Sequence, residues 1–396
     1  MLSRSINILK TSSFFLFGAR GTGKSTLLES VLERSLANNR CIWINLLSAK
    51  EEARYLEDPD LLSRQIELAK GNLDWVIIDE VQKAPKLLDV VHNEIELASK
   101  EKRELHFALS GSSARKLKRG GANLLAGRAF VYHLFPFTHI ELAENFNLDQ
   151  ALQFGTIPAI IKYPDVQSKQ AALEAYVETY LKEEIVAEQI IRNVQPFRKF
   201  LNIAAQSNGT IINFNKISGD IKVDDKTVKT YFDILEETLL GFSIPAYDKS
   251  LRKQQGKSPK FYLFDPGVKR VLDPDLPAAT QLSSQEYGLA FEHFVICEIF
   301  RIKSYQRQKM SFSHFNTGNS EIDLVIEVPG GPDIFIEIKA TEQVRESHIA
   351  TLSRLQSDYP EFKYLCLSRD PIARIDHGIN ILPWQMGIKK IFEGGV

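Results

Sequence analysis

The sequence predicts an α/β protein with several domains, and three observations support this class. A glycine-rich motif near the N-terminus stands between a short apolar run and an amphipathic segment, as in strand–loop–helix units that bind phosphate. Further short apolar runs follow it and end in acidic or hydroxyl residues. Near the C-terminus, two apolar runs carry carboxylates and end in Glu-x-Lys. A chain of 396 residues, 44% of them hydrophobic, can bury more than one core, since domains usually span about 100–200 residues.

The overall charge excludes a generally polycationic protein. Lys and Arg total 49 against 50 Asp and Glu, which leaves a formal net charge of −1, so any contact with nucleic acid must come from local basic patches. The cysteines Cys41, Cys297 and Cys366 lie in apolar segments, and we interpret them as buried thiols of a reducing cytoplasm. The apolar run at residues 12–19 is too short to span a membrane, so we expect a cytoplasmic protein without membrane contact.

The first motif predicts a nucleotide site. Residues 14–17 form an apolar run typical of a buried strand, and "GARGTGKST" after it matches G-x-x-x-x-G-K-[ST]. We expect Lys24 to reach the β- and γ-phosphates of ATP and the Ser25 hydroxyl to bind Mg²⁺. The alternative is a glycine-rich turn without a ligand. The residues expected to contact the nucleotide are Gly18, Ala19, Arg20, Gly21, Thr22, Gly23, Lys24, Ser25 and Thr26.

A second apolar run delivers two acidic residues to the same region. In "WVIIDEVQKAP", Asp79 and Glu80 follow the run directly, where ligands bind in an open α/β sheet. We expect Asp79 to hold Mg²⁺ through its water shell and Glu80 to orient or deprotonate the attacking water. This pair predicts hydrolysis of ATP and not only its binding.

Two more apolar runs, at residues 104–113 and 129–137, complete the predicted sheet. Ser110 ends the first and is placed to hydrogen-bond the water or the γ-phosphate. Between the runs lie Arg115, Arg119 and Arg128, which are candidates for a finger that reaches the phosphate of a neighbouring subunit. Arg128 is the preferred candidate, and an exposed basic loop is the alternative for each of them.

These segments resemble a known family. "GARGTGKST", "IIDEVQKAP", "LSGSSARKL", "LLAGRAFVYHLFPFT" and "GTIPAII" are similar to AAA-type ATPases of prokaryotes that carry a C-terminal region of unknown role. The resemblance implies a P-loop AAA+ ATPase core at 1–141, a helical lid and connector at 142–195, a winged helix, and an end domain similar to restriction endonucleases. It covers nearly the whole chain and is most specific in about the first 160 residues.

The middle of the chain predicts a winged helix-turn-helix at 196–272. A helix from Pro196 to Gly209 and a capped helix from Asp224 to Gly241 precede two strands joined by a basic tip. The second helix would enter the major groove of DNA while the tip contacts phosphates, although such modules also serve for packing alone. The residues expected to contact DNA are Lys222, Lys226, Lys229, Arg252, Lys253, Lys257 and Lys260.

The last domain, at 283–396, follows a predicted linker at 273–284. A helix over residues 285–302 carries Glu292 at the border of its apolar stripe. In the hairpin that follows, alternation places Ile322, Leu324, Ile326 and Val328 on one face and Asp323 on the other. On its second strand, Glu337 and Lys339 point away from Ile334, Ile336 and Ile338.

This arrangement resembles the PD-(D/E)XK nuclease-like fold. The resemblance implies that Asp323 and Glu337 bind Mg²⁺, that Glu292 completes the site, and that Lys339 orients the nucleophilic water. Hard cations prefer carboxylate oxygens, and a metal ion can neutralise the charge that develops on a phosphodiester. An ordinary half-exposed hairpin is the alternative.

Together these features predict an ATP-hydrolysing protein that processes duplex or branched DNA, works as a homo-oligomer with a hexamer as the expected ring, and uses ATP and Mg²⁺. Two alternatives stay open. In one, the nuclease-like domain binds DNA without cutting it. In the other, the protein is a nucleotide-dependent signalling switch whose C-terminal region recognises protein.

Overall fold

The computed structural model describes residues 2–112, 115, 117, 125, 127–181, 194–248, 250, 254, 256–275 and 284–394. Contacts among them divide the chain into two compact units. The first contains Met1–Phe137, Ile157–Ala159 and Glu237–Leu240, and the second contains Thr138–Thr156, Ile160–Glu236 and Gly241–Val396. Among the described helices, none combines the length and the apolar character needed to cross a membrane.

The first unit is built on a parallel sheet with the strand order β2–β3–β4–β1–β5. Every residue of β1 and β3 is buried, as expected for the continuous apolar runs of a sheet covered on both faces. Because neighbouring strands are parallel, the segments that follow β1, β3 and β4 emerge at one edge. These strands are β1 (Ser13–Phe17), β2 (Cys41–Asn45), β3 (Trp75–Asp79), β4 (His106–Gly111) and β5 (Ala129–His133).

Helices of the first unit cover this sheet. The stripe of α5 that includes Leu87, Leu88 and Val91 packs with strand residues such as Phe107 in one hydrophobic core. A 3₁₀ turn at Val81–Lys83 follows β3. The helices are α1 (Lys24–Val31), α2 (Glu33–Ala37), α3 (Ala49–Glu57), α4 (Leu61–Leu68) and α5 (Leu87–Lys100).

Short helices follow β5. The first begins at a capping box, in which Thr138 accepts a hydrogen bond from the Glu141 backbone and Glu141 returns one. A 3₁₀ turn at Ala143–Asn145 follows the first helix and a π-helical turn at Tyr176–Leu181 follows the last. These helices are α6 (His139–Leu142), α7 (Leu148–Phe154), α8 (Pro158–Ile161) and α9 (Val166–Ala175).

The region predicted to read DNA contains α10 (Val194–Gln206), α11 (Phe214–Ile221) and α12 (Asp225–Glu237). An antiparallel pair, β6 (Gly241–Ile244) and β7 (Lys260–Leu263), follows, and Ile211 forms a single bridge to Lys260. Edge-to-face ring contacts, such as Phe200 with Phe232 at 4.8 Å, fill the space between the helices. The predicted tip residues Arg252 and Lys253 lie outside the described residues, as do residues 276–283 of the predicted linker.

The rest of the second unit contains a mixed sheet with the strand order β12–β13–β11–β10–β9–β8. Helix α14 packs on one face, where Phe291 and Phe294 join Ile336 and Ile338 in one core. A second core around Phe335 fills the other face beneath α15. The elements are α13 (Pro266–Leu272), α14 (Ser284–Gln306), β8 (Ser311–Asn316), β9 (Glu321–Glu327), β10 (Ile334–Lys339), α15 (Glu346–Leu355), β11 (Lys363–Ser368), β12 (Arg374–Asp376), β13 (Ile379–Pro383) and α16 (Trp384–Glu393).

A β-bulge interrupts the predicted alternation of β9. Its pairing with β8 passes from Phe315–Ile322 to Ser313–Val325, so β9 contains one extra residue at that point. Ile322 consequently packs in the core of Phe335 and not in that of Leu324. The prediction that Ile322 shares a face with Leu324, Ile326 and Val328 is wrong, because the extra residue reverses the alternation.

A fully buried group of charges holds α14 to the segments before it. Arg301, 1% exposed, donates to Thr156 Oγ1 at 3.0 Å and to the Phe264 carbonyl at 2.7 Å. The same guanidinium lies 3.3 Å from Glu298 and 3.9 Å from Asp265, both of them inaccessible to solvent. Buried charges persist only where they are paired and hydrogen-bonded, and this group meets that condition.

We expect Arg301→Met to destabilise the second unit by about 3–5 kcal/mol, because it leaves Glu298 and Asp265 buried without their cation. Urea unfolding would measure the loss. Lys389→Met, at an exposed position of α16, is the control and should change stability by less than about 0.5 kcal/mol. A loss for Arg301→Met as small as that of the control would contradict the assignment.

Candidate nucleotide site and acidic centre

The phosphate loop connects β1 to α1 with the tight backbone that its glycines allow. Gly21 and Gly23 have left-handed φ angles of 79° and 90°. At Gly18 a Cβ atom would lie 2.5 Å from the Leu134 carbonyl oxygen, so a larger residue does not fit. Thr22 Oγ1 donates to the Ala19 carbonyl at 2.7 Å and stabilises the turn. The loop therefore leads into the N-terminus of α1, where backbone N–H groups and the helix dipole favour an anion.

Lys24 is folded into this loop. Its ammonium is 6% exposed and donates to the Gly18 carbonyl at 2.8 Å, and it lies 3.8 Å from Glu80 Oε1. Carbonyl oxygens are weaker partners for an ammonium than a phosphate, which carries full negative charge. The position suits a lysine that changes partners when a phosphate enters the loop.

Asp79 joins the ends of three elements. Ser25 Oγ of α1 donates to Asp79 Oδ2 at 2.6 Å, and Ser110 Oγ of β4 donates to Asp79 Oδ1. The hydroxyl of Ser25 and the carboxylate of Asp79 are oxygen donors of the kind that Mg²⁺ prefers, and they already lie in contact. The residues present therefore fit a magnesium ion that the Ser25 hydroxyl would contact directly.

Glu80 occupies an unusual backbone position beside Asp79. Its φ and ψ angles of 62° and 45° lie in the left-handed region, which a residue with a side chain rarely adopts. The turn directs its carboxylate toward Lys24 on one side and toward Gln82, whose Nε2 donates to Glu80 Oε2 at 2.5 Å, on the other. Such strain persists where the surrounding structure imposes it, and it is common at functional sites.

Arg128 lies away from this edge. Arg128 precedes β5, whose first residue pairs with Ser13 at the start of β1, so Arg128 stands about 13 Å of strand length from the loop. It donates to Glu96 at 2.7 Å. Arg115 is 7% exposed and pairs with Glu237, so the alternative that it lies in an exposed basic loop is wrong. Arg119 lies outside the described residues.

Asp323, Glu337 and Lys339 meet where the β9–β10 ladder ends. The ladder runs as far as Leu324–Ile336, and beyond it the side chain of Asp323 accepts from the Ile338 backbone N–H at 2.7 Å. Lys339 Nζ lies 2.5 Å from Glu337 and 3.8 Å from Asp323. The bulge in β9 directs Asp323 to this point.

Glu292 reaches the same centre from the opposite face of the sheet, because α14 packs against Ile336 and Ile338. The hydroxyl of Tyr262 donates to Glu292 Oε1 at 3.0 Å. Lys260, two residues earlier on β7, is 2% exposed, and its ammonium lies 2.7 Å from Glu321. The prediction that Lys260 belongs to an exposed DNA-binding tip is wrong, because β7 turns this side chain into the acidic centre.

Burial and mutual repulsion alter the acidity of these groups. The pKa of Glu337 is raised to about 8, chiefly by burial and next by the charge of Asp323, while Lys339 opposes the change. Burial raises the pKa of Glu292 to about 7, again with a contribution from Asp323 and opposition from Lys260. Burial acts to lower the pKa of Lys260, but Glu292, Glu321 and Asp323 raise it above its ordinary value. Asp323 and Glu337 likewise raise the pKa of Lys339 against the opposing effect of burial. Lys260 and Lys339 therefore stay charged and offset part of the negative charge of the carboxylates.

The acidic centre fits a divalent cation only through two carboxylates. Across the described ranges, no three His, Cys, Asp or Glu side chains gather in a metal-binding group. The carboxylates of Asp323 and Glu337 both lie beside Lys339 Nζ, at 3.8 and 2.5 Å, so a cation held between them would have two carboxylate ligands. Glu292, on the other face, would influence such a site through its charge.

Three of the seven predicted DNA contacts lie at or just before the start of α12. Lys222, Lys226 and Lys229 are all exposed there, although Lys229 lies 3.9 Å from Asp225. Lys257, beyond the tip, is exposed and donates to Asp248 at 3.1 Å. Charge at the start of α12 is therefore mixed and not purely basic.

Sequence reasoning did not identify Gln82, Tyr262 or the true position of Lys260. No spacing rule indicated Gln82, because side chains three positions apart lie together in a 3₁₀ helix and Gln82 stands only two positions after Glu80. For Lys260, alternation with Phe261 and Tyr262 in an otherwise apolar strand was the available signal.

Comparison with known proteins adds family matches for three parts of the chain. Residues 10–143 match the family described as AAA domain, so the unit around the phosphate loop is an AAA-type P-loop ATPase domain. Residues 145–282 match a domain of unknown function (DUF8612), and residues 287–386 match a second one (DUF4143). Neither of these two descriptions names an activity.

Relatives span most of the chain at low identity. A Mycobacterium tuberculosis protein is 23% identical over 332 residues, which is 82% of this chain and 70% of that protein. A Haemophilus influenzae protein is 20% identical over 308 residues, which is 72% of this chain and 73% of that protein. Both are described as uncharacterized proteins.

Proteins of solved structure have lower sequence identity to this chain, and their folds superpose on it only in part. Thermotoga maritima RuvB is 17% identical and covers 67% of this chain and 88% of its own, with a TM-score of 0.33. Aeropyrum pernix ORC1, solved in complex with DNA, is 14% identical and covers 67% and 87%, with a TM-score of 0.29. Overlap at these TM-scores does not establish a common fold.

We expect Glu80→Gln to lower the rate of ATP hydrolysis at least about 100-fold, because an amide cannot accept the proton of the attacking water. Nucleotide binding should persist, since Glu80 lies beside the loop and not within it. Steady-state hydrolysis and binding of a fluorescent ATP analogue would measure the two effects. Glu104→Gln, at an exposed position before β4, is the control. Equal hydrolysis by Glu80→Gln and the control would refute the role.

Proposed function

We propose that the protein hydrolyses ATP at the phosphate loop and couples this reaction to DNA. The convergence of Lys24, Ser25, Asp79 and Glu80 on one edge of a parallel sheet carries the hydrolytic half of the proposal. In the nucleotide complex, residues 18–26 would enclose the phosphates. Mg²⁺, held by Ser25 and through water by Asp79, would supply positive charge at the phosphate oxygens.

Different side chains of the protein would have different roles at the phosphate loop. Lys24 would leave the Gly18 carbonyl and contact the β- and γ-phosphates. Glu80 would hold and deprotonate the attacking water, while Ser110 keeps the Asp79 carboxylate in place. Arg128 lies too far from the loop of its own subunit, so it would act on a neighbour in a ring of subunits, with six as the expected number.

The DNA half of the proposal depends on the region from α10 to β7. Three helices followed by an antiparallel strand pair follow the order of a winged helix, and its α12 carries exposed lysines at the start. Lys222, Lys226 and Lys229 would lie against phosphates at the edge of a major groove, with Lys257 nearer the wing. The preferred DNA is duplex or branched.

We expect DNA to stimulate ATP hydrolysis and the double change Lys226→Gln/Lys229→Gln to weaken this stimulation. Hydrolysis rates would be measured with single-stranded, duplex and four-way DNA over a range of salt concentrations. Loss of two phosphate contacts should reduce the salt slope of DNA affinity by about 2. The paired control Lys389→Gln/Lys390→Gln removes equal charge from α16. A rate that no DNA changes would favour the alternative of a nucleotide-dependent switch with a protein partner.

A second activity, Mg²⁺-dependent cleavage of DNA, is favoured by the acidic centre. Asp323 and Glu337 both lie beside Lys339 at the point where two strands separate. The carboxylates would hold Mg²⁺, which would stabilise the charge on the phosphodiester. Lys339 would orient the water, and Glu292 with Lys260 would set the charge behind Asp323.

We expect Asp323→Asn to abolish nicking of supercoiled plasmid in Mg²⁺ or Mn²⁺ while ATP hydrolysis is retained. Asp333→Asn, in the turn between the same two strands, is the matched control and should nick normally. Agarose gels would follow the nicked form with time. Failure of the wild-type protein to nick any DNA form in either metal would favour a domain that binds DNA without cutting it.

A further inference from the structure

We propose that Gln82 is a positioning residue for ATP hydrolysis, which orients the Glu80 carboxylate and connects it to the end of β4. The inference rests on the proposed hydrolytic function and assigns to it a residue beyond the phosphate loop, Asp79 and Glu80. Three contacts of one buried amide carry it.

The amide of Gln82 uses both of its N–H groups. Nε2 donates to Glu80 Oε2 at 2.5 Å and to Ser112 Oγ at 3.2 Å. An amide nitrogen has two hydrogens, so the two bonds can exist together. Because a carboxylate only accepts, the contact with Glu80 also fixes which end of the amide faces it.

The other end of the amide indicates that the side chain is not placed for packing alone. Gln82 is 5% exposed, and in the described part of the chain its Oε1 has no hydrogen-bond partner. It lies so close to Gly111 that a Cβ atom there would approach it to 2.5 Å. Leaving a buried carbonyl oxygen without a partner is unfavourable, so the bonds to Glu80 and Ser112 must outweigh this cost.

The two oxygens of Glu80 thereby acquire different surroundings. Oε2 is bound by Gln82, whereas Oε1 faces Lys24 at 3.8 Å. When Lys24 turns to a phosphate, Oε1 remains directed at the loop and is free to accept a proton from water. Gln82 therefore determines which oxygen of Glu80 meets the water and at what angle.

Ser112 extends this arrangement to β4. Ser110 and Ser112 stand two residues apart, and Ser110 bonds Asp79 while Ser112 bonds Gln82. One strand end thus supports both carboxylates. A displacement of that end would move Glu80 through Gln82.

The test compares Gln82→Met with the wild-type protein. Methionine has nearly the same length and removes both hydrogen bonds, so packing is retained. We expect kcat to fall about 100-fold, because a displacement of about 1 Å at a reacting group has this effect, with KM and the affinity for a fluorescent ATP analogue unchanged. Gln65→Met, which removes the hydrogen bond between Gln65 and Tyr55 elsewhere in the same unit, is the matched control and should leave kcat unchanged.

Two double variants separate positioning from general damage. In the Glu80→Gln background, Gln82→Met should cause no further loss, because the residue acts through Glu80. Ser112→Ala should lower kcat less than Gln82→Met does, and combining the two changes should lower kcat no further than Gln82→Met alone.

The proposal is overturned if Gln82→Met behaves as the Gln65 control does, if it weakens nucleotide binding in parallel, or if it lowers the Glu80→Gln rate further. A wild-type protein without ATP hydrolysis would overturn both this inference and the proposed function, whereas hydrolysis insensitive to Gln82 would overturn this inference alone.

Discussion

The carboxylate of Asp79 is the point on which the nucleotide site depends. It accepts from Ser25 at the start of α1 and from Ser110 at the end of β4, so one side chain joins the ends of β3 and β4 to the start of α1. This is possible only because the sheet is parallel and its order places β1, β4 and β3 side by side. Glu80 then follows in a left-handed turn, which faces its carboxylate to the loop.

In the second unit, the acidic centre depends on an irregularity of the backbone, the β-bulge in β9. The bulge in β9 moves Ile322 into one core and Leu324 into the other, and Asp323 stands between them where the ladder with β10 ends. Carboxylates from both faces of the sheet then approach one another, and Lys260 and Lys339 offset part of their charge. The separation of two strands thus creates a polar position inside a sheet that is otherwise apolar on both sides.

The sequence was sufficient for features that depend on local pattern. The apolar runs of β1, β3 and β4, the glycine loop and the shared face of Glu337 and Lys339 could each be predicted from periodicity and spacing. The position of Asp323 beside them depends also on the bulge in β9. Features that depend on tertiary contacts could not be predicted in this way. The alternation of β7 does not reveal that Lys260 pairs with Glu321 of β9, and nothing near Ile322 reveals an extra residue opposite β8. Arg115 likewise lies in a basic segment but is buried against Glu237.

The burial of Arg301 has a consequence for how the chain can be divided. Its hydrogen-bond partners Thr156 and Phe264 both precede the predicted boundary at residue 283, and so does Asp265, its more distant counter-ion. A C-terminal fragment beginning there would retain the guanidinium and Glu298 but expose the surface that these earlier residues cover. Transfer of the C-terminal sheet alone into another protein would therefore leave Arg301 without these partners, so the segments that cover its long helix would have to be transferred with it.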